Sequence, residues 1–95
     1  MNMKQYVERA DMLKALAHPV RLCIVRHLME KRNCNVGHMQ ECLGAPQSTI
    51  SQHLQKLRMA GIIKGTRNGL EVNYQVCDER AARIVNTLFS TRNEG

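Results

Sequence analysis

The chain has 95 residues, 43% of them apolar but with one Phe, two Tyr and no Trp, and a formal net charge of +6. That is one small domain, 1–95, with a modest core that a partner subunit would enlarge. No apolar run approaches the ~20 residues of a membrane span, and the positive balance suits a polyanionic partner.

Charge placement is more informative than the total. From Cys42 to Leu70 there is no Asp or Glu, while Lys56, Arg58, Lys64 and Arg67 all lie there. An N-terminus that crowds Lys4, Glu8, Arg9 and Asp11 together is not a signal peptide. Four cysteines without an export signal imply free thiols in a reducing cytoplasm.

In chain order, Met1 to Gln5 reads as a tail. Tyr6 to Ala17 reads as a first helix (α1), with Tyr6, Ala10, Leu13 and Ala17 at 4-3-4 spacing and Met12 and Leu16 widening the apolar surface. His18-Pro19 breaks it and starts α2, since Pro is tolerated at a first helical position. Pro19 to about Lys31 then repeats apolar residues at Val20, Cys23, Ile24 and Leu28. Arg32-Asn33-Cys34-Asn35 is a polar connection. Val36 to Leu43 forms a short α3 with Val36, Met39 and Leu43 facing in, closed by Gly44.

Gly44-Ala45-Pro46 is a tight turn into α4, which runs from Gln47 to Gly61. Ile50, Leu54 and Leu57 recur at i, i+4, i+7 as one narrow apolar stripe. Ser48, Gln52 and Gln55 point away from it, flanked by Ser51 and Lys56. Gln, Ser and Lys can hydrogen-bond base edges in a major groove, and Ser and Lys also hold phosphates. Two short helices joined by such a turn are the helix-turn-helix signature, here spanning about 36–60. After Gly61 the period changes to 2. Ile62 to Arg67 (β1) and Leu70 to Val76 (β2) flank Asn68-Gly69, a strong hairpin signal, so a wing covers about 62–76. Arg67 and Asn68 occupy its tip, with Lys64 below. Asp78 caps a last helix, α5, with an apolar stripe of Ala81, Ile84, Val85 and Leu88. The reading is mainly α with a small β-hairpin, α1-α2-α3-α4-β1-β2-α5. This winged helix-turn-helix would dimerise through its terminal helices at Leu13, Leu16, Ile84, Val85 and Leu88.

Three blocks carry a family resemblance: Leu-Lys-Ala-Leu-Ala-His-Pro-Val-Arg-Leu (13–22), Pro-Gln-Ser-Thr-Ile-Ser-Gln-His-Leu-Gln-Lys-Leu-Arg (46–58) and Ala-Gly-Ile-Ile-Lys-Gly-Thr-Arg-Asn-Gly-Leu-Glu-Val-Asn-Tyr-Gln-Val (60–76). The chain resembles the ArsR/SmtB family of bacterial transcriptional repressors over about 10–88, and its PagR-like branch in particular. The resemblance implies a homodimer that binds a twofold double-stranded DNA operator near its own promoter. It places DNA contacts on Gln47, Ser48, Ser51 and Gln52, with more from the wing around Lys64, Arg67 and Asn68. The outward face read from the residues adds Gln55 and Lys56.

Sensing chemistry follows the family pattern less well. Metal sensors similar to this chain often carry a Cys-Val-Cys motif entering the third helix, where this sequence has Asn35 and Gly37, with Cys34 one residue off. A second family site uses Asp and His on the last helix, and no His lies between Asp78 and Gly95. Neither classical metal site is expected, and no cofactor. His38 and Cys42, at i, i+4, share a face and could touch one ion, although two solvent-facing residues are the simpler reading. Cys77, just before a helix N-terminus, is a candidate redox thiol. Cys23, its possible partner, reads as a core residue. His18 belongs to the helix break, His27 packs beside Leu28, and His53 packs rather than reads bases.

Two other classes compete. A winged helix repurposed to bind another regulatory protein would show an apolar outward patch on α4, which this sequence lacks. An enzyme would need a phosphate loop, a nucleophile motif or a carboxylate pair, and none is present.

Overall fold

A computed structural model describes residues 1–31 and 34–90, so Arg32 and Asn33 of the expected polar connection lie outside the described residues. The elements are α1 (Met3–Leu16), α2 (Pro19–Glu30), α3 (Val36–Leu43), α4 (Gln47–Met59), β1 (Ile63–Asn68), β2 (Glu71–Val76) and α5 (Glu79–Phe89). This is the mainly helical winged architecture that the sequence implies. No helix among the described residues is long and apolar enough to cross a membrane.

α1 begins earlier than the sequence suggests. The Asn2 side chain accepts the Lys4 N–H at 3.1 Å and so starts the helix where a loose tail was expected. Its inward face is Met12, Ala15 and Leu16, whereas Tyr6, Val7 and Leu13 face solvent. At the break, His18 is extended (φ −156°, ψ 135°), as a residue before proline must be, and its Nδ1 accepts the Val20 N–H at 3.1 Å. α2 buries Ile24, Val25 and Leu28. Cys23 projects to the other side and is exposed, which corrects its reading as a core residue.

Asn35 caps α3 by accepting the His38 N–H at 2.8 Å, and Gly44 ends it at φ 69°. α4 closes in a Schellman arrangement: Gly61 N–H donates to the Arg58 carbonyl and Ile62 N–H to that of Leu57, both at 3.0 Å. The hairpin register pairs Asn68 with Glu71, so the two-residue loop is Gly69-Leu70, one position later than expected. Gly69 supplies the positive φ (68°) that such a turn requires. Leu70, expected in the strand, is fully exposed at the tip.

Cys34 is the element the sequence hid. Its N–H donates to the Tyr74 carbonyl at 3.2 Å and its carbonyl accepts the Tyr74 N–H at 2.9 Å, forming an antiparallel bridge to the outer edge of β2. It is buried, 3% exposed, not part of a solvated connection. Tyr74 spends both backbone groups on Cys34, so its pairing with Gly65 on the other edge is the close, non-hydrogen-bonded kind. A Cβ on Gly65 would meet the Val72 side chain at 2.9 Å and the Tyr74 ring at 3.0 Å. Glycine is required there by space.

The core runs from Met12 and Leu16 through Ile24, Val25 and Leu28 to Met39, Ile50, Leu54, Leu57, Ile62, Ile63, Ala81 and Val85. Asp78 caps α5, accepting the Arg80 and Ala81 N–H groups at 2.8 and 3.2 Å. The Arg26 guanidinium lies 4.3 Å from the Phe89 ring centroid and holds the far end of α5 on α2.

Two histidines are packed rather than solvated. His53 lies against His18 with ring centroids 4.3 Å apart. Burial first, then the positive neighbours His18, Arg21 and Lys56, pull its pKa below the ordinary 6.5. His27 is lowered by burial, then by His38 and Lys31.

Gly65→Ala should loosen the hairpin and lower stability by about 1–3 kcal/mol, read from the urea midpoint. The histidines set a pH dependence. Because both pKa values are depressed on folding, the unfolded chain takes up protons first as pH falls below 6.5. Stability should fall between about pH 7.5 and about pH 5.5, and His53→Gln should shrink that loss, as followed by denaturation at the two pH values.

Candidate nucleic-acid interface

The exposed face of α4 is set by its buried one. Ile50 and Leu57 are 0% and Leu54 2% exposed, which fixes the helix about its own axis on α2, α3 and β1. Gln47, Ser48, Ser51 and Gln52 then stand in solvent, with Gln55 and Lys56 a turn further on. These side chains offer hydroxyl and amide groups, with the one cation at Lys56.

The start of α4 has no side-chain cap. Pro46 (φ −61°, ψ 152°) cannot accept the first-turn amides, and no acidic residue lies in that turn. Free N–H groups and the positive end of the helix dipole therefore face outward beside Ser48, a ready position for a phosphate oxygen.

On the wing, Lys64, Arg67 and Asn68 are all exposed, but they do not form one cluster. The register places Arg67 with Ile63 and Gly65 on one face, opposite Val72, Tyr74 and Val76. Lys64 and Asn68 lie on the other face, with Thr66, Gln75, Asn73 and Glu71. The wing therefore carries basic residues on both sides. It is anchored by packing of α4 on β1, and the Cys77 N–H donates to the Ile62 carbonyl at 2.8 Å.

Sequence reasoning missed Arg21. It reaches the α4 side of the molecule beside His53, and its Nε is buried with no partner among the described residues, as is His53 Nδ1. Only the three-dimensional packing of α2 on α4 brings this guanidinium beside the imidazole.

Of the residues assigned to dimerisation, Leu16 and Val85 are 3% and 0% exposed within the protomer, which removes them from a partner face. Leu13 and Leu88 are 53% and 61% exposed and Ile84 is half-buried, so those three remain available, joined by Tyr6 and Val7.

All four cysteines are free thiols. Cys77 is exposed and its Sγ–H donates to the Gly61 carbonyl at 3.5 Å. A group able to hold a metal is present: the ligand atoms of His27, His38 and Cys42 lie within 4.8 Å of one another. His27 does not simply pack beside Leu28, because its Nε2 lies 3.4 Å from the Cys34 Sγ. Burial, then Cys42, push the Cys34 thiol pKa up, so it is protonated in the absence of a cation.

Comparison with known proteins fits this geometry. Residues 16–66 match a family described as a helix-turn-helix domain. The chain is 44% identical over 75 residues to the HTH-type transcriptional repressor SmtB of Mycobacterium tuberculosis, covering 79% of this chain and 55% of that protein. It thus spans about half the length of that relative. Over 79 residues it is 40% identical to the transcriptional repressor PagR of Bacillus anthracis, covering 83% of this chain and 79% of that one. The crystal structure of PagR matches it with a TM-score of 0.85 at 37% identity, covering 92% of this chain and 99% of PagR. With its helix-turn-helix, hairpin wing and flanking helices in this order, the chain belongs to the ArsR/SmtB family of winged helix-turn-helix transcriptional regulators.

Proposed function

We propose that the protein is a cytoplasmic, sequence-specific DNA-binding repressor that acts as a homodimer on a twofold operator near its own promoter. The observation that carries this reading is the outward face of α4. It is free of carboxylates, rich in groups that read base edges, and preceded by an uncapped helix N-terminus suited to a phosphate. The repressor names of SmtB and PagR support the same reading.

The mechanism follows from the placement. α4 enters the major groove with Ser48, Ser51 and Gln52 against bases and Gln47 near the backbone. Lys64 and Arg67 neutralise phosphates from either side of the wing. The dimer face is the exposed apolar set Tyr6, Val7 and Leu13 of α1 with the half-buried Ile84 and exposed Leu88 of α5. A twofold pair sets the two α4 helices about one DNA turn, ~34 Å, apart. Occupying a site that overlaps a promoter then excludes polymerase.

Ser48→Ala with Gln52→Ala should abolish discrimination of the upstream DNA while leaving the dimer intact, measured by fluorescence anisotropy against a scrambled duplex. Unchanged specific affinity would overturn the groove assignment, and an absence of specific binding by the unaltered protein would favour a protein partner instead. In the same assay Arg67→Ala should weaken all sequences alike and reduce the salt slope by about one phosphate contact. Leu13→Asp with Leu88→Asp should yield a folded monomer by sedimentation velocity, with much weaker operator binding. A dimer that persists would move the interface elsewhere.

A further inference from the structure

Cys34, His38 and Cys42 recur every four residues, which puts His38 and Cys42 on one face of α3 with Cys34 just ahead of its cap. Folding lays this line against His27 in the last turn of α2. The ligand atoms of His27, His38 and Cys42 lie within 4.8 Å of one another. Cys34 Sγ is 3.4 Å from His27 Nε2, and Cys42 Sγ is 3.7 Å from His38 Nε2. A tetrahedral ion with Zn–S of about 2.3 Å and Zn–N of about 2.05 Å has a sulfur–nitrogen edge of about 3.5 Å. Both observed spacings are close to it.

We propose that His27, His38 and Cys42 form an intrachain site for a thiophilic divalent cation of the zinc class, with Cys34, which contacts His27 but lies outside that mutual 4.8 Å group, drawn in as the fourth ligand on binding, so that the ion ties α2, the helix-turn-helix and the wing together. It is not the Cys-Val-Cys arrangement, whose positions here are Asn35 and Gly37, and it draws nothing from the N-terminal arm. An ordinary surface role for the imidazoles is a carboxylate ion pair, and neither makes one among the described residues. A surface cleft of about 290 Å³ lined by Cys23, Arg26, His27, Glu30, Cys42 and Leu43 gives an ion access. Two sulfurs and two ring nitrogens select against magnesium and calcium, which prefer oxygen. Binding releases the two thiol protons to solvent, so two thiolates balance the dication and the imidazoles bind neutral through Nε2.

The position gives the site a lever. Cys34 is hydrogen-bonded by its backbone to Tyr74 in the wing, and His38 and Cys42 sit on the helix that the Gly44-Ala45-Pro46 turn joins to α4. Drawing the ligands together repositions α3 against α2 and so acts on both DNA-reading elements at once. This regulatory part rests on the DNA-binding function proposed above, whereas the site itself does not.

The test uses the full-length reduced protein titrated with cobalt(II), then zinc(II). The expected result is one tetrahedral cobalt per chain, with intense visible bands and a charge-transfer band whose strength corresponds to two thiolates, bleached by zinc. Cys42→Ser and His38→Gln, at exposed positions, should each weaken binding by at least about 100-fold, beyond the 10–100-fold cost of losing a supporting hydrogen bond. The remote Cys77→Ser should bind normally. A pale six-coordinate spectrum without charge transfer, or an unchanged spectrum in Cys42→Ser, would overturn the site, and intensity for one thiolate would remove Cys34 from it. On upstream DNA, zinc should shift the affinity of the unaltered protein by about 5–150-fold and leave Cys42→Ser unmoved. Unchanged affinity with metal bound would overturn the coupling. A full cobalt spectrum with no specific DNA binding in any state would overturn the repressor reading and leave the site standing.

Discussion

Burial of Ile50, Leu54 and Leu57 is the constraint on which the molecule depends. A helix that is to be read by a groove must present a fixed face, and rotation by one residue, about 100°, would exchange Ser48 and Gln52 for Thr49 and His53. The apolar stripe prevents this because turning it would expose three large side chains, each contributing about 1.5–3 kcal/mol by its burial. Polar recognition is thus held in register by apolar packing on the opposite side. α2, α3 and β1 together form the seat, which explains why so much of a small core gathers beneath one helix.

The wing obeys a similar logic with fewer resources. A two-stranded hairpin is marginal alone, and here it is secured at three places: Ile63 in the core, the Cys77–Ile62 hydrogen bond at its base, and the Cys34–Tyr74 bridge along its outer edge. The bridge makes the middle of β2 an interior strand for one residue. It also forces the close Gly65–Tyr74 approach. The wing is consequently part of the domain rather than an appendage, and its basic residues have a defined relation to α4.

Most of this was legible in the sequence, because periodicity, proline, glycine and cap signals act locally. Pro19, Gly44, Gly61 and Gly69 punctuate the chain where those residue types must, and the 3.6-to-2 change of period marked the wing. What escaped was long-range. The bridge between Cys34 and Tyr74 spans residues far apart in the chain, so Cys34 read as part of a polar connection. The sequence of α1 shows apolar residues on more than one side without deciding which side faces the core, whereas the core uses Met12, Ala15 and Leu16 and leaves Tyr6 and Leu13 outside. The four-residue recurrence of Cys34, His38 and Cys42 was visible, but its meaning depended on His27, which only the packing of α2 on α3 supplies. Lys64 and Arg67 likewise seemed neighbours until the strand register separated them.

Pro46 at the head of α4 has a thermodynamic side. A serine or aspartate there would satisfy the first-turn amides within the free protein, at a gain of about 0.5–2 kcal/mol in helix stability. Proline keeps the entry angle rigid but leaves those donors to water. The isolated domain therefore rests slightly above the lowest energy this backbone could reach, and the shortfall is localised at the helix end that the proposed function sets against a nucleic-acid backbone. On that proposal a phosphate oxygen would supply the missing acceptor, and the helix terminus, unfinished in solution, would be completed by its ligand.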